Sequence, residues 1–132
     1  MGVAYQLSCG HCAYSQNIYI GFGFNYCSLS SILEWYKDDV GRQRIRAFIQ
    51  TDKEASFECF DGLYVCQSCR YLLNEVYLHI NSDSDAYTNR YTCPRCSALM
   101  PPKPIDYIED IQLDCPDCGN EKLSVQSYMD WD

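Results

Sequence analysis

The chain has 132 residues and a formal net charge of −8, a length that suits one domain or two very small ones. A surface this acidic repels phosphate backbones and anionic membranes on average. No apolar run approaches the ~18 residues that a membrane helix needs.

In chain order, residues 3–8 alternate with Val3, Tyr5 and Leu7 on one face, as a strand does. After Cys9-Gly-His-Cys12 a second strand puts Ile18, Ile20, Phe22 and Phe24 on one side. Tyr19, Gly21, Gly23 and Asn25 fall on the other. The glycines leave a bare strip that internal packing or a flat group fills. Residues 31–39 read as a helix capped by Ser31 with Glu34 in reply. Gly41 breaks or bends it, and residues 42–50 resume with Ile45, Phe48 and Ile49 at helical spacing. Phe57 to Cys66 reads as a hairpin turning at Asp61-Gly62. Val76, Leu78 and Ile80 then alternate inward. Asn81 to Asp85 is a polar break, and the tail SYMDWD reads as loosely held unless Tyr128 and Trp131 dock.

Twelve Tyr, five Phe and two Trp supply much buried area per residue, yet a ~60-residue half still needs a staple. The ten cysteines provide it. Eight fall in four CxxC knuckles: Cys9/Cys12, Cys66/Cys69, Cys93/Cys96 and Cys115/Cys118. Two residues between sulfurs let a tight turn aim both at one ion, and tetrahedral Zn2+ takes four. Four knuckles therefore make two four-cysteine sites, two Zn2+ per chain. Eight thiolates add eight negative charges and two ions return four, so the chain becomes more acidic still. The four knuckles pair consecutively, interleaved or nested. Eighteen residues separate the last two knuckles, a zinc-ribbon spacing. The first two are fifty-three apart, which loop-closure entropy tolerates. Consecutive pairing is the expectation. Nested pairing, with Cys66/Cys69 joined to Cys93/Cys96 across twenty-three residues, is its main rival.

CGHC is also a redox motif, but a redox pair needs a βαβ core and a helix starting at the second Cys. Only eight residues precede Cys9, and a strand follows Cys12. Cys27 and Cys59, set among aromatics, read as small buried apolar residues. His11 reads as an exposed turn residue and His79 as a strand surface residue.

Residues 90–128, with CPRC, CPDC and Gly119, resemble a zinc ribbon. The whole chain resembles small bacterial proteins with several CxxC knuckles, through YQLSCGHCAY, IGFGF, LYVCQSC and YTCPRC…LDCPDCG. That resemblance implies a bacterial origin and paired zinc sites, and carries over no catalytic residue. The expected fold is small α+β, mainly antiparallel β zinc ribbons with a short helical insertion. The expected domains are 1–82, interrupted by helices at about 28–52, and 83–132.

The N-terminus has no basic stretch followed by an apolar core, so no secretion signal is expected. Ser8 lies too late for myristoylation at Gly2. A cytoplasmic setting keeps the thiols reduced. Closed four-cysteine sites, two histidines and no HExxH or Ser-His-Asp set argue against an enzyme. The expected function is a non-catalytic zinc module for protein binding, with exposed Tyr14, Tyr19, Tyr77 and Tyr87. Its acidic C-terminal third (Asp106, Glu109, Asp110, Asp114, Asp117 and Glu121) either confers solubility or mates with the basic helix of another copy. The alternative is a nucleic-acid-associated ribbon using Arg42, Arg44 and Arg46 with Arg90 and Arg95.

Overall fold

A computed structural model describes residues 1–51, 54–109 and 111–132. In chain order the elements are β1 (Gly2–Ser8), β2 (Ser15–Gly21), a 3-10 turn (Phe24–Tyr26), α1 (Leu29–Trp35), α2 (Asp39–Thr51), β3 (Ser56–Val65), β4 (Leu72–Asn81), β5 (Ala86–Thr88) and β6 (Ser124–Trp131). The six strands form one antiparallel sheet in the order β5-β4-β3-β2-β1-β6. The fold is the expected small α+β, mostly sheet with two short helices. Asp52, at the end of the expected helical insertion, lies outside the described residues.

The sheet has two halves. One is β2-β1-β6, paired along the full length of β1 on both sides. The other is β3-β4-β5, whose long hairpin pairs ten residues of β3 with ten of β4. Between the halves, the β2–β3 register holds the single pair Gly21 with Asp61. The two halves share part of their packing: Leu63 of β3 and Leu72 of β4 join the core of the first half. Tyr5, Leu7, Ile18 and Ile20 pack with Leu113 and Leu123 beneath the first. Ile32, Tyr36, Ile45 and Phe48 of the helices pack on Cys59, Leu78 and Ile80 of the second.

Three local readings are corrected. Ser28, not Ser31, caps α1: its backbone is extended and its side-chain oxygen accepts the Ser31 N–H at 3.1 Å. The helical break falls at Tyr36 to Asp38, where Asp38 accepts the Gly41 N–H at 2.8 Å, so Gly41 lies inside α2. Asp61-Gly62 is no turn. β3 runs straight through it, and Leu63 exchanges both backbone bonds with Ile105 at 2.9 Å. Gly62 is required by close approach: a Cβ there would sit 2.5 Å from the Pro104 ring. A DG pair serves a turn and a crowded strand equally, and only the neighbour distinguishes them.

The tail docks. β6 pairs with β1 from Ser8–Ser124 to Gly2–Trp131, with a bulge at Ala4/Tyr5. The Trp131 indole lies on Gly2, where a Cβ would come within 2.2 Å of the ring. It stands edge-on to Tyr19 and near Tyr26. Gly21 sits against the backbone of Met1 and Gly2 and Gly23 against Asp132, so the glycine strip is filled by internal packing. Phe22 and Phe24, expected on one strand face with Ile18 and Ile20, lie beyond the end of β2 at Gly21 and are 50% and 77% exposed. Among the described residues no helix is long and apolar enough to cross a membrane.

Candidate metal centres

All four CxxC knuckles occupy chain reversals, and the strand registers decide which of them meet. β1 leads directly into Cys9, and Ser8 pairs with Ser124. The chain entering β6 at Ser124 has just left Cys118, so Cys115 and Cys118 arrive beside Cys9 and Cys12. In the other half the β3–β4 hairpin closes at Val65–Leu72 around Cys66 and Cys69. The chain after β5 runs back along β4, with the Asn89 N–H on Leu78 O and the Tyr91 hydroxyl on Val76 O, and delivers Cys93 and Cys96 to the same tip.

The sulfurs gather into two groups, Cys9/Cys12/Cys115/Cys118 and Cys66/Cys69/Cys93/Cys96, with all Sγ atoms of a group within 4.8 Å of one another. The expected consecutive pairing is thereby overturned in favour of nesting. The inner group closes within residues 66–96, and the outer group ties the two ends of the chain around it. The eighteen-residue ribbon spacing misled because β6, the strand that brings Cys115 home, pairs with β1 and not with a neighbour in sequence.

Within the groups Sγ–Sγ distances are 3.7 Å (Cys9–Cys118), 3.5 Å (Cys12–Cys115), 3.6 Å (Cys66–Cys96) and 3.6 Å (Cys69–Cys93). A tetrahedron with Zn–S bonds of about 2.3 Å has S–S edges of about 3.8 Å, whereas a disulfide is about 2.05 Å. All the cysteines are free thiols. The donor set and its spacing fit a tetrahedral ion, and each group could hold one. Backbone N–H groups already face some of the sulfurs: His11 N on Cys9 Sγ at 3.3 Å and Cys69 N on Cys66 Sγ at 3.5 Å. Burial pushes the Cys69 thiol up, but a backbone N–H at Tyr71 and the Arg95 guanidinium outweigh it and bring it down to about 6. Cys115 falls to about 7, where the N–H groups of Cys118 and Asp117 overcome its burial.

Three knuckles share one backbone device. The N–H four residues after the first Cys bonds back to that Cys carbonyl: Arg70 to Cys66 at 2.8 Å, Ser97 to Cys93 at 2.9 Å, Gly119 to Cys115 at 3.0 Å. Each donor is left-handed, with φ of 67°, 66° and 67°. Only one is glycine, the residue that adopts this conformation without a Cβ penalty. Ser97→Gly should therefore stabilise the chain by ~0.5–1 kcal/mol, read as a raised urea midpoint of the zinc-loaded protein. Unchanged or lowered stability would show that the Ser97 turn carries no strain.

The two groups are coupled through arginine. Arg95, inside the inner knuckle CPRC, donates to Cys69 O at 2.5 Å and to Pro116 O of the outer group at 2.9 Å, with Asp117 at 3.7 Å. Arg70, just past Cys69, pairs with Asp114, which also takes Lys122. Three of the other candidate arginines have structural tasks too. Arg42 donates to Tyr36 O at 2.9 Å and to Leu33 O, capping the last carbonyls of α1. Arg44 pairs with Asp85 at 2.8 Å and lies over the Phe48 and Tyr87 rings. Arg90 donates to Met100 O at 3.0 Å, and Arg46 is exposed.

Cys59 is buried as expected, its thiol pushed up to about 12 by burial and then by Asp61. Cys27 is exposed, contrary to expectation, because it ends the 3-10 turn at the surface. Neither joins a ligand group among the described residues. His11 is exposed, and His79 is half-buried with Nδ1 2.6 Å from Thr88 Oγ1. Of the aromatics expected outside, Tyr19 is exposed, Tyr14 and Tyr87 are half-buried, and Tyr77 is buried against Phe60. Asp110 of the acidic set lies outside the described residues.

The sequence reading missed one structural hub. Asn89 is 5% exposed, with Oδ1 on the Leu78 N–H and Nδ2 donating to Tyr36 Oη and Val76 O, each at 3.0 Å. No spacing signal marks such a residue. Comparison with protein-family models, with curated proteins and with solved structures returns no match.

Proposed function

We propose that the chain is a non-catalytic protein-binding module scaffolded by two structural four-cysteine zinc sites. The nested pair of four-sulfur groups carries this reading. Four thiolates fill the coordination of a tetrahedral ion and leave no position for water or substrate, which is the character of a structural site. Thiolate ligands also favour Zn2+ over hard cations such as Mg2+ and Ca2+. Zinc ribbons are the motif this most resembles, and a reducing cytoplasm is the setting that keeps such thiols available.

The alternative, a nucleic-acid-associated ribbon, depends on a basic patch. Arg42, Arg44, Arg90 and Arg95 are drawn into capping, an ion pair and backbone bridges while Arg46 stays exposed, and the net charge of −8 opposes a phosphate backbone. A gel-shift titration with single-stranded and duplex nucleic acid, at low and at physiological salt, is expected to show no complex at either. A complex at low salt that weakens steeply with added salt would favour the alternative. Binding of host proteins to the tagged, zinc-loaded chain, identified by mass spectrometry, tests the protein-binding reading itself. Recovery of none would remove it.

A further inference from the structure

β6 is an edge strand, and no other described strand pairs with its outer side. It is eight residues long, whereas β5 at the opposite edge has three. An edge of this length is a template for another extended chain unless it is protected, commonly by Lys, Pro or a covering loop. The segment SVQSYMDW has neither Lys nor Pro; it carries one bulge, at Tyr128 opposite Ala4/Tyr5, and the single charge of Asp130, and Tyr128 and Met129 stand half in solvent.

At its C-terminal end β6 opens onto a cleft of about 630 Å3. Tyr5, Tyr107 and Trp131 give aromatic walls, and Val3 and Ile20 contribute apolar surface. Asp106, Glu109, Asp130 and Asp132 bring four carboxylates to it. Among the described residues, the positive group there is the N-terminal amine, which already faces Asp132 at 3.5 Å and Phe22 O. No Lys or Arg side chain among them lines the cleft. Aromatic faces beside carboxylates suit a guanidinium or ammonium carried on an alkyl stem. Asp130 belongs to both features, since it lies on β6 and lines the cleft.

We infer that the partner supplies an extended basic segment, which adds to the sheet along β6 and places an Arg or Lys side chain in the cleft. This rests on the protein-binding reading and specifies its chemistry. Main-chain bonds to the edge give affinity, and the charged cleft gives selectivity. A second copy of this chain is the poorer occupant, because two chains of charge −8 repel. A nucleic acid is excluded from the cleft by the same carboxylates.

The test uses the whole zinc-loaded chain and a ten-residue peptide alternating Val or Thr with Arg, beside a version with Glu for Arg. Fluorescence anisotropy should show binding of the Arg peptide alone. Asp106→Asn/Glu109→Gln/Asp130→Asn should weaken it at least tenfold. Asp38→Asn/Asp39→Asn, on the helical segment, should leave it unchanged. Matching unfolding midpoints establish that both variants fold. Amides of β6 should gain protection from hydrogen exchange when the peptide binds. Equal affinity for both variants, no added protection on β6, or full competition by spermine would overturn the proposal. So would a dimer by sedimentation that buries the β6 edge. If host proteins are captured equally by the wild type and the cleft variant, this inference fails while the protein-binding reading stands. If the wild type captures none, that reading fails first.

Discussion

Cys66→Ser/Cys93→Ser should leave one zinc per chain, measured by elemental analysis of protein refolded with excess zinc and then dialysed. Nesting puts both substitutions in the inner group, so the outer group of Cys9, Cys12, Cys115 and Cys118 stays whole. Consecutive pairing would place one substitution in each site, and zinc would fall towards none. The wild type should carry two. A structural zinc contributes about 10–16 kcal/mol of apparent binding energy at neutral pH, as much as the whole net stability of a typical domain. Stripping both ions with a strong chelator should therefore collapse the far-ultraviolet β signal and open the amides of all six strands to exchange. Sheet structure that survives chelation would refute the structural role. Acid should mimic the chelator, because protons compete for the thiolates that the ion needs.

Loss of the outer site should be felt first in its own half. Cys9→Ser/Cys115→Ser removes the clasp that holds β6 against β1, so exchange protection should vanish first along Ser124–Trp131. The inner hairpin, with ten paired residues on each strand and its own group of four sulfurs, should lose protection last. The arginine bridges at Arg95 and Arg70 moderate this separation.

Asn89→Ala should destabilise the zinc-loaded chain by ~2–4 kcal/mol, read from urea unfolding. Truncation leaves the Leu78 N–H without its side-chain acceptor inside the second half of the sheet and removes the link to Tyr36 of the helical segment. An unsatisfied buried donor costs ~1–3 kcal/mol, and the lost volume adds to it. Val76 O is spared in part, because the Tyr91 hydroxyl also donates to it at 2.5 Å. Asn89→Asp keeps the shape and the acceptor but loses both donations and buries a charge. It should be at least as damaging at neutral pH, and its deficit relative to the wild type at the same pH should shrink as pH falls and the carboxyl takes a proton. A cost below ~1 kcal/mol for Asn89→Ala would show that Asn89 does not hold the helices to the sheet.

The four CxxC spacings determined the ligand type and the number of sulfur groups, because a knuckle is a local turn whose geometry depends on few neighbours. Alternation at Val3 to Leu7 and at Val76 to Ile80, and helical spacing at Ile45 and Phe48, likewise marked elements that form where the pattern says. Which knuckle meets which was settled only by strand pairing. Ser8 lies beside Ser124, a contact across most of the chain that no local period encodes, and it carries Cys115 past its neighbour in sequence to Cys9. The same remoteness concealed the docking of Trp131 on Gly2, the strand role of Asp61-Gly62 beside Pro104, and the hydrogen bonds of Asn89. Each is a property of two segments brought together, whereas the sequence states plainly only what one segment does alone.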